Sequence, residues 1–335
     1  MKILLVFLSL FMGLNAKDYT KKTDVKKFMK SLTKEYKIEK MYLTKLFAKV
    51  KVSQSALKAF RPRPKIHRTP AQLEALKRRY PKHGAWDRYS KYKVTPLRVK
   101  QGVAFLKKYI DIFEKVEKEF GVPKEYIVSI IGIETVFGRN VGKYPIFDTL
   151  TTLAFEKNRR NTFFRKQLKE FIRLAYTQKF NPKDVYGSYA GAIGLCQFMP
   201  SNYKAYGVDF NKDGKITLQR AGDAIASVAN YFRKNGWRVG EPVATQVSYA
   251  GNRFKAYKTG YTTTYNRKDL KGIAPKKYWA YNKKVRLIKL DKKEYDELWY
   301  GAKNFFVITR YNHSAYYAMS VHKLAMQIKA KLYEN

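Results

Sequence analysis

From Gly102 to Gly138 apolar residues return every three or four positions, and no other feature restricts the fold as strongly. Val103, Leu106, Ile110, Phe113, Val116 and Phe120 define one face of a helix that Gly121 and Pro123 then stop. Pro123 suits the first turn of a second helix, which runs to Gly138. In that second helix Ile127, Ile130, Ile131 and Glu134 follow the spacing i, i+3, i+4, i+7 and share a face. Three members of the stripe seek burial; the fourth is a carboxylic acid. A glutamate in apolar surroundings keeps its proton at neutral pH, because its ionised form is costly to desolvate. A carboxyl that keeps its proton can give it to the leaving oxygen of a glycosidic bond. A structural ion pair with Arg139 or Arg165 is the alternative.

Helical patterning recurs elsewhere. Residues 17–60 combine many lysines with Phe28, Met29, Leu32, Met41, Leu43, Leu46 and Phe47, as short amphipathic helices would. The alternating prolines of RPRPKIH (61–67) interrupt them, and TPAQLEALKRRY opens another helical block. Helices are also expected over 162–178, 219–235 and the terminal SAYYAMSVHKLAMQIKAKLY. Residues 240–300 change character, being rich in Gly, Tyr, Thr and Lys, and KVRLIKL (284–290) and NFFVITRY (304–311) read as strands. The expected class is therefore mainly α (α+β), with a small β element late in the chain. There is no internal repeat and no clean linker.

Charge sets the class of partner. Lys and Arg number 69 against 26 Asp and Glu, a formal net charge of +43 that favours polyanions. The N-terminal MKILLVFLSLFMGLNA has a lysine, an apolar run and a small residue at Ala16, the layout of a signal peptide cleaved after residue 16. Retention as a short anchor is the other reading. No cysteine follows the run to accept a lipid. Cys196 is the only cysteine, so no intramolecular disulfide forms and the core alone must hold the fold. Export and positive charge together point to the periplasm or cell envelope, with peripheral contact to anionic membrane or wall. Nucleic acid is not an expected partner, and the chain is expected to act as a monomer.

Three polar stretches supply further candidates. In YGSYAGAIGLCQFMPSNY (186–203), Gly187, Ala190, Gly191, Ala192 and Gly194 leave backbone bare enough for a ligand, or another backbone, to approach. Ser188 and Gln197 add groups that hold sugar hydroxyls and amides. In RYNHSAYYAM (310–319), Tyr311, Asn312 and Tyr317 bring aromatic faces close to an amide, a combination that grips saccharides. DFNKDGKIT begins a loop in which Asp209, Asn211 and Asp213 occupy positions 1, 3 and 5 of an EF-hand pattern. Gly214 sits at the turn, and Lys215 offers its backbone carbonyl. Position 12 is Arg220 rather than Glu, and the next acid, Asp223, comes three residues later; a solvated Asp/Asn/Gly turn is the alternative to a calcium site. The four histidines (67, 83, 313, 322) show no metal-ligand spacing, and Cys196 lacks a convincing base for thiol catalysis.

GIETVFGRNVGKYPIFDTLTTLAF, GSYAGAIGLCQFMPSNYKAYGVDFNKDG, DAIASVANYFRKNGW and WYGAKNFFVITRYNHSAYYAM together resemble the lytic murein transglycosylase B family. The similarity extends over about residues 22–333 and is densest at 86–238 and 297–320. It implies a lysozyme-like catalytic core with a helical flanking domain. It also implies cleavage of the β-1,4 bond between N-acetylmuramic acid (MurNAc) and N-acetylglucosamine (GlcNAc) in peptidoglycan strands, leaving a 1,6-anhydro-MurNAc end. By the same resemblance Glu134 is the single catalytic acid/base. Tyr89 (in AWDRY), Ser188, Gln197, Tyr231 (in VANYF), Tyr311, Asn312 and Tyr317 fall on substrate-binding positions. Asp209, Asn211, Asp213, Lys215 and Asp223 fall on those of a structural Ca2+.

The corresponding partition is 1–16 leader, 17–120 helical region packing on the core, 121–240 lysozyme-like core including loop 209–223, and 241–335 a Lys/Tyr-rich β segment and C-terminal helix completing the cleft. One carboxylate suffices where the substrate's own 2-acetamido group assists; Asp148 reads as an N-cap, not a second acid. A wall-binding scaffold without turnover is the main rival. Leu195-Cys196 and the Lys/Tyr-rich 245–283 depart from the family pattern.

Overall fold

The computed structural model describes residues 16–62, 67–79, 83–251 and 253–334. The leader up to residue 15 and the centre of the proline-rich breaker lie outside these. In chain order the elements begin with β1 (Ala16–Lys17), α1 (Thr23–Tyr36), α2 (Lys40–Ala48), β2 (Val50–Lys51), α3 (Gln54–Phe60), α4 (Pro70–Arg79) and α5 (Ala85–Ser90). Next come α6 (Pro96–Lys108), α7 (Ile110–Phe120), α8 (Lys124–Thr135), β3 (Tyr144–Pro145), α9 (Ile146–Phe155), α10 (Asn161–Thr177) and β4 (Tyr186–Gly187). The remainder are α11 (Pro200–Tyr206), α12 (Ala221–Lys234), β5 (Ala244–Tyr249), β6 (Ile273–Pro275), β7 (Arg286–Asp291), β8 (Asp296–Gly301), α13 (Lys303–Tyr311) and α14 (Ala315–Tyr333). The mainly helical class holds. Among the described residues no helix is long and apolar enough to cross a membrane.

The chain divides into two compact units: residues up to Arg63 with Gly142–Ala192 and Met199–Ser201, and Pro64–Val141 with Ile193–Phe198 and Asn202–Asn335. In the first, aromatic rings knit the N-terminal helices to α9: Phe28 meets Phe155 at 5.4 Å and Phe47 meets Phe147 at 5.3 Å. The Tyr19 hydroxyl donates to Glu156 at 2.7 Å, and Lys17 and Lys22 pair with the same carboxylate. Asp148 is not the N-cap expected of it. Pro145 holds that place, and Asp148 lies buried in the first turn of α9 with Oδ1 lacking a hydrogen-bond partner. Burial pushes its pKa up, while a backbone N–H at Lys51 and the charges of Lys183 and Lys51 oppose the shift.

In the second unit α8 is buried on nearly every side, as its apolar composition demands, with α6, α7, α12 and α14 packed around it. The continuous helix expected over 102–120 is instead two. Thr95 caps α6, accepting from the Arg98 N–H at 3.1 Å, with Pro96 in the first turn. Tyr109 then leaves helical geometry (φ −121°, ψ 30°) and redirects α7, so the apolar period survives a break in the backbone.

Strands β6-β5-β8-β7 form one antiparallel sheet, with Arg286 opposite Gly301 and Asp291 opposite Asp296 in the β7–β8 hairpin. Five tyrosines of this region serve its core: Tyr281 and Tyr300 are buried with Val247, Leu287 and Leu298, and Tyr249, Tyr257 and Tyr265 pack against them with Trp279, whereas Tyr278 and Tyr295 are exposed. The strand expected at 284–290 is β7. The strand expected at 304–311 is a helix, α13. A short apolar run does not separate the two periods. Within α13 the buried Asn304 amide donates to the Arg238 and Glu241 carbonyls and accepts from the Arg238 N–H, tying the helix to the loop after α12.

Candidate active site

Glu134 sits one residue before the end of α8, where the backbone is forced into an unusual path. Val136, Phe137 and Gly138 are consecutively left-handed (φ +53°, +57° and +88°), a costly choice for a β-branched residue. Thr135 makes the turn possible. Its hydroxyl accepts from the Gly138 N–H at 3.1 Å and shares its proton between the Ile131 and Leu195 carbonyls at 3.1 and 3.0 Å. The turn folds Phe137 back onto the helix at Gly132, where a Cβ would stand 2.5 Å from the ring. Arg98 donates to the Gly132 carbonyl at 3.1 Å, placing a cation at the negative end of the helix. Glu134 is therefore held by the best-packed helix of its unit.

Tyrosines surround the carboxyl. Ser314 caps α14 by accepting from the Tyr317 N–H, and this sets Tyr317 in the first turn of the helix packed on α8. The Tyr317 hydroxyl donates to Glu134 Oε1 at 2.6 Å. Tyr311, the last residue of α13, stacks on Tyr317 with centroids 6.4 Å apart and planes at 11°, and Tyr231 of α12 packs on Tyr311 at 4.8 Å. Tyr311 and Tyr231 spend their hydroxyls on backbone, donating to the Cys196 and Arg310 carbonyls at 2.6 Å each. They therefore present rings, not hydroxyls. Tyr89 of α5 belongs to a second aromatic group with Trp86 and Tyr316, and the Lys93 ammonium lies 5.9 Å from its ring centroid.

Gln197 is held in a left-handed conformation (φ +50°) by the Ile193–Phe198 bridge, in a segment that bonds to Thr135 through Leu195. Its amide nitrogen donates to the Val141 and Gly194 carbonyls at 3.1 and 3.0 Å, leaving the amide oxygen as the group on offer. Asn312 ends α13 and is exposed. Ser188 lies in the other unit, where its Oγ accepts from the Ala190 and Ala192 N–H groups at 3.3 and 3.0 Å and keeps its own proton free to donate. Cys196 is fully buried, and burial pushes its thiol pKa up, so it is no nucleophile.

Electrostatics single out one group. Among the described residues Glu134 has no basic partner in an ion pair and its only side-chain hydrogen bond is from Tyr317, while Arg165 is engaged by Asp24. Glu134 is partly buried, and the protein crowded around its carboxyl pushes its pKa above the ordinary carboxylate value. The Tyr317 hydrogen bond and the Lys93 charge pull the other way without cancelling that effect. Burial lifts the Tyr317 and Tyr311 phenols well above their usual value, and Tyr231 to about 12. These rings stay neutral donors. Lys93 carries no motif that would have selected it among 69 basic residues. Its role is visible only from its position.

The loop after α11 is tightly closed. Asp209 accepts from the Asp213 and Gly214 N–H groups at 3.1 and 2.7 Å, and Asp223 spans the loop by accepting from Phe210 and Thr217 at 3.0 and 2.7 Å. Asn211 donates to Asp213 at 3.1 Å, and the Lys215 N–H donates to it at 2.9 Å. Arg220, the residue at position 12, pairs with Asp213 at 2.7 Å. Lys212 and Gly214 supply the left-handed curvature. The donors are hard oxygens throughout, a set that suits Ca2+. Among the described residues no three His, Cys, Asp or Glu side chains gather as a metal site would require.

A profile described as "Transglycosylase SLT domain" matches residues 20–326. The membrane-bound lytic murein transglycosylase B of Escherichia coli is 36% identical over 313 residues, spanning 93% of this chain and 84% of that protein. Two solved structures are also similar. The Escherichia coli lytic transglycosylase SLT35 in complex with calcium is 34% identical, covers 95% of this chain and 96% of its own, and superposes with a TM-score of 0.83. SltB3 from Pseudomonas aeruginosa in complex with NAG-anhNAM-pentapeptide is 26% identical, with coverages of 91% and 79% and a TM-score of 0.76. With a family profile spanning nearly its whole length and a relative this similar, the chain belongs to the lytic murein transglycosylase B family.

Proposed function

We propose that the chain cuts peptidoglycan strands at the MurNAc–GlcNAc β-1,4 bond, with Glu134 as sole acid and base. The observation that carries this is Glu134 itself: a carboxyl with a raised pKa, at the end of a buried helix, holding a hydrogen bond from a neutral tyrosine. In its protonated form Glu134 gives its proton to the glycosidic oxygen as the C1–O bond breaks. The 2-acetamido oxygen of MurNAc bonds to C1 and carries the positive charge. The ionised Glu134 then takes the proton of the C6 hydroxyl as that oxygen closes on C1 and displaces the acetamido group. The product is 1,6-anhydro-MurNAc, and no water is consumed. A family relative bound to NAG-anhNAM-pentapeptide supports this product class.

In the same reading Tyr311, Tyr231 and Tyr89 offer ring faces to sugars, Gln197 an amide acceptor, and Asn312 and Ser188 donors. Tyr317 orients Glu134. The test is mass spectrometry of purified sacculi digested with the enzyme. New MurNAc ends are expected lighter by one water than the ends a hydrolase leaves. Incorporation of heavy oxygen from labelled water into those ends would sink the intramolecular closure.

For the loop, the proposed Ca2+ ligands are Asp209, Asn211, Asp213, the Lys215 carbonyl and Asp223, with Arg220 released from Asp213. The ion would supply divalent charge that cross-links the loop. Its occupation at ten times Kd stabilises by about 1.4 kcal/mol. Chelation is therefore expected to lower the thermal midpoint by a few degrees, reversed by calcium but not by magnesium; identical midpoints with and without chelator would remove calcium from the account. Export by the leader places the enzyme in the envelope, where its net positive charge meets anionic wall and membrane.

A further inference from the structure

Helix α1 separates its charges. Its acids face α10, where Asp24 accepts from Arg165 at 2.8 Å and Glu35 pairs with Lys169. Its lysines do not. Lys26 and Lys30 stand one turn apart and, with Lys40 and Thr44 one turn apart on α2, line a groove of about 610 Å³ completed by Thr20, Met29 and Thr33. Among the described residues none of Lys26, Lys30 and Lys40 has an acid partner. Of the acids nearest in sequence, Asp18 is held by Thr20, and Glu39 precedes α2 without lining the groove. Like charges one turn apart weaken a helix, so an arrangement with no counter-charge is one that an anion would relieve. Met29 is the one apolar residue of the lining and is 8% exposed, with Thr20, Thr33 and Thr44 beside it; Met41, next to Lys40 in sequence but outside the lining, is 66% exposed. Three ammonium groups with threonine hydroxyls around a buried methionine match the phosphate head of an anionic lipid, and lysine stems can lie along acyl chains while their charges stay in the headgroup layer.

We propose that this groove docks the protein on membranes by binding the glycerophosphate headgroup of anionic phospholipids. The proposal rests on the envelope reading of the charge and narrows it to one surface. The experiment measures binding of the purified full chain to phosphatidylcholine vesicles with and without one-third phosphatidylglycerol. It compares wild type, a groove variant (Lys26→Ala, Lys30→Ala, Lys40→Ala) and a charge-matched control (Lys115→Ala, Lys118→Ala, Lys276→Ala).

Wild type and control are expected to bind anionic vesicles alike, and the groove variant about a hundredfold more weakly, because each lysine at the surface contributes roughly fivefold. Raising salt should weaken wild-type binding toward the variant. Among the described residues the three lysines make no ion pairs, so the groove variant should keep the wild-type thermal midpoint and its activity on soluble glycan fragments. Equal weakening of groove variant and control overturns the groove while leaving general charge attraction standing. Failure of wild type to bind anionic vesicles overturns both. Loss of binding to sacculi, rather than to vesicles, in the groove variant assigns the groove to acidic wall peptides and overturns the lipid. Displacement of wild type from vesicles by inorganic phosphate at equal headgroup concentration reduces the site to a free-phosphate site and overturns it too.

Discussion

Glu134→Gln is expected to reduce release of anhydro-muropeptides from sacculi by about 10³-fold or more, in line with the loss of a general acid that also serves as base. Glutamine keeps the shape and can still accept from Tyr317, so the loss belongs to the proton and not to the fold. The same substitution should raise thermal stability at neutral pH. Burial raises the pKa of Glu134 in the folded state, so between the unfolded and folded pKa values the native state binds more protons than the unfolded chain. Stability therefore falls as pH rises through that window, and the ionised glutamate is a burden above it. Removing the charge should raise the thermal midpoint at neutral pH, and the gain should vanish once pH drops below the ordinary carboxylate range. Scanning calorimetry across that range, paired with the sacculus assay, reads both effects. An active variant removes Glu134 from catalysis; an inactive variant destabilised at neutral pH argues for a structural carboxylate. In the wild type, loss of the acid form as pH rises through the folded pKa should produce the alkaline limb of kcat/KM.

Gly142→Ala is the second large effect. Gly142 has φ +94°, and a Cβ there would lie 2.1 Å from the Gly187 carbonyl oxygen and 2.6 Å from the Ser188 nitrogen. Both neighbours are backbone of the β3–β4 pairing, and neither can rotate away. Left-handed strain and overpacking together cost about 3–4 kcal/mol, a drop of roughly 8–12 °C in the transition of that unit. Gly214→Ala is the control. It shares the positive φ (+81°), but its Cβ would meet nothing within 4 Å, so only the strain of about 1–2 kcal/mol applies. A similar midpoint for the two variants would show that the close approach at Gly142 is unimportant.

Much of the site was readable before the structure, for a local reason. The placing of Glu134 on an otherwise aliphatic face follows from spacing alone, and the surrounding helix is buried as that spacing demands. The bare backbone around Gly187–Gly194 was also visible, but its meaning was not. The structure shows Gly187 and Gly191 packed within the first unit against Ala192, Ile146 and Leu150, and Gly194 against Leu218 in the second. Asp148 looked like a cap because Asp before a helical run commonly is one, yet Pro145 already fixes the turn.

Periodicity, charge and turn residues act over a few positions, so the chain alone settled the helical class, the strand over 284–290, the buried acid and the oxygen-rich loop. Tertiary packing settled the rest. The bond from Tyr317 to Glu134 joins residues 183 positions apart, and Asn304 in the helix at 303–311 bonds to Arg238, 66 positions away. Neither contact has a local signature, because the energy that makes it comes from burying surfaces that meet only after the chain has folded.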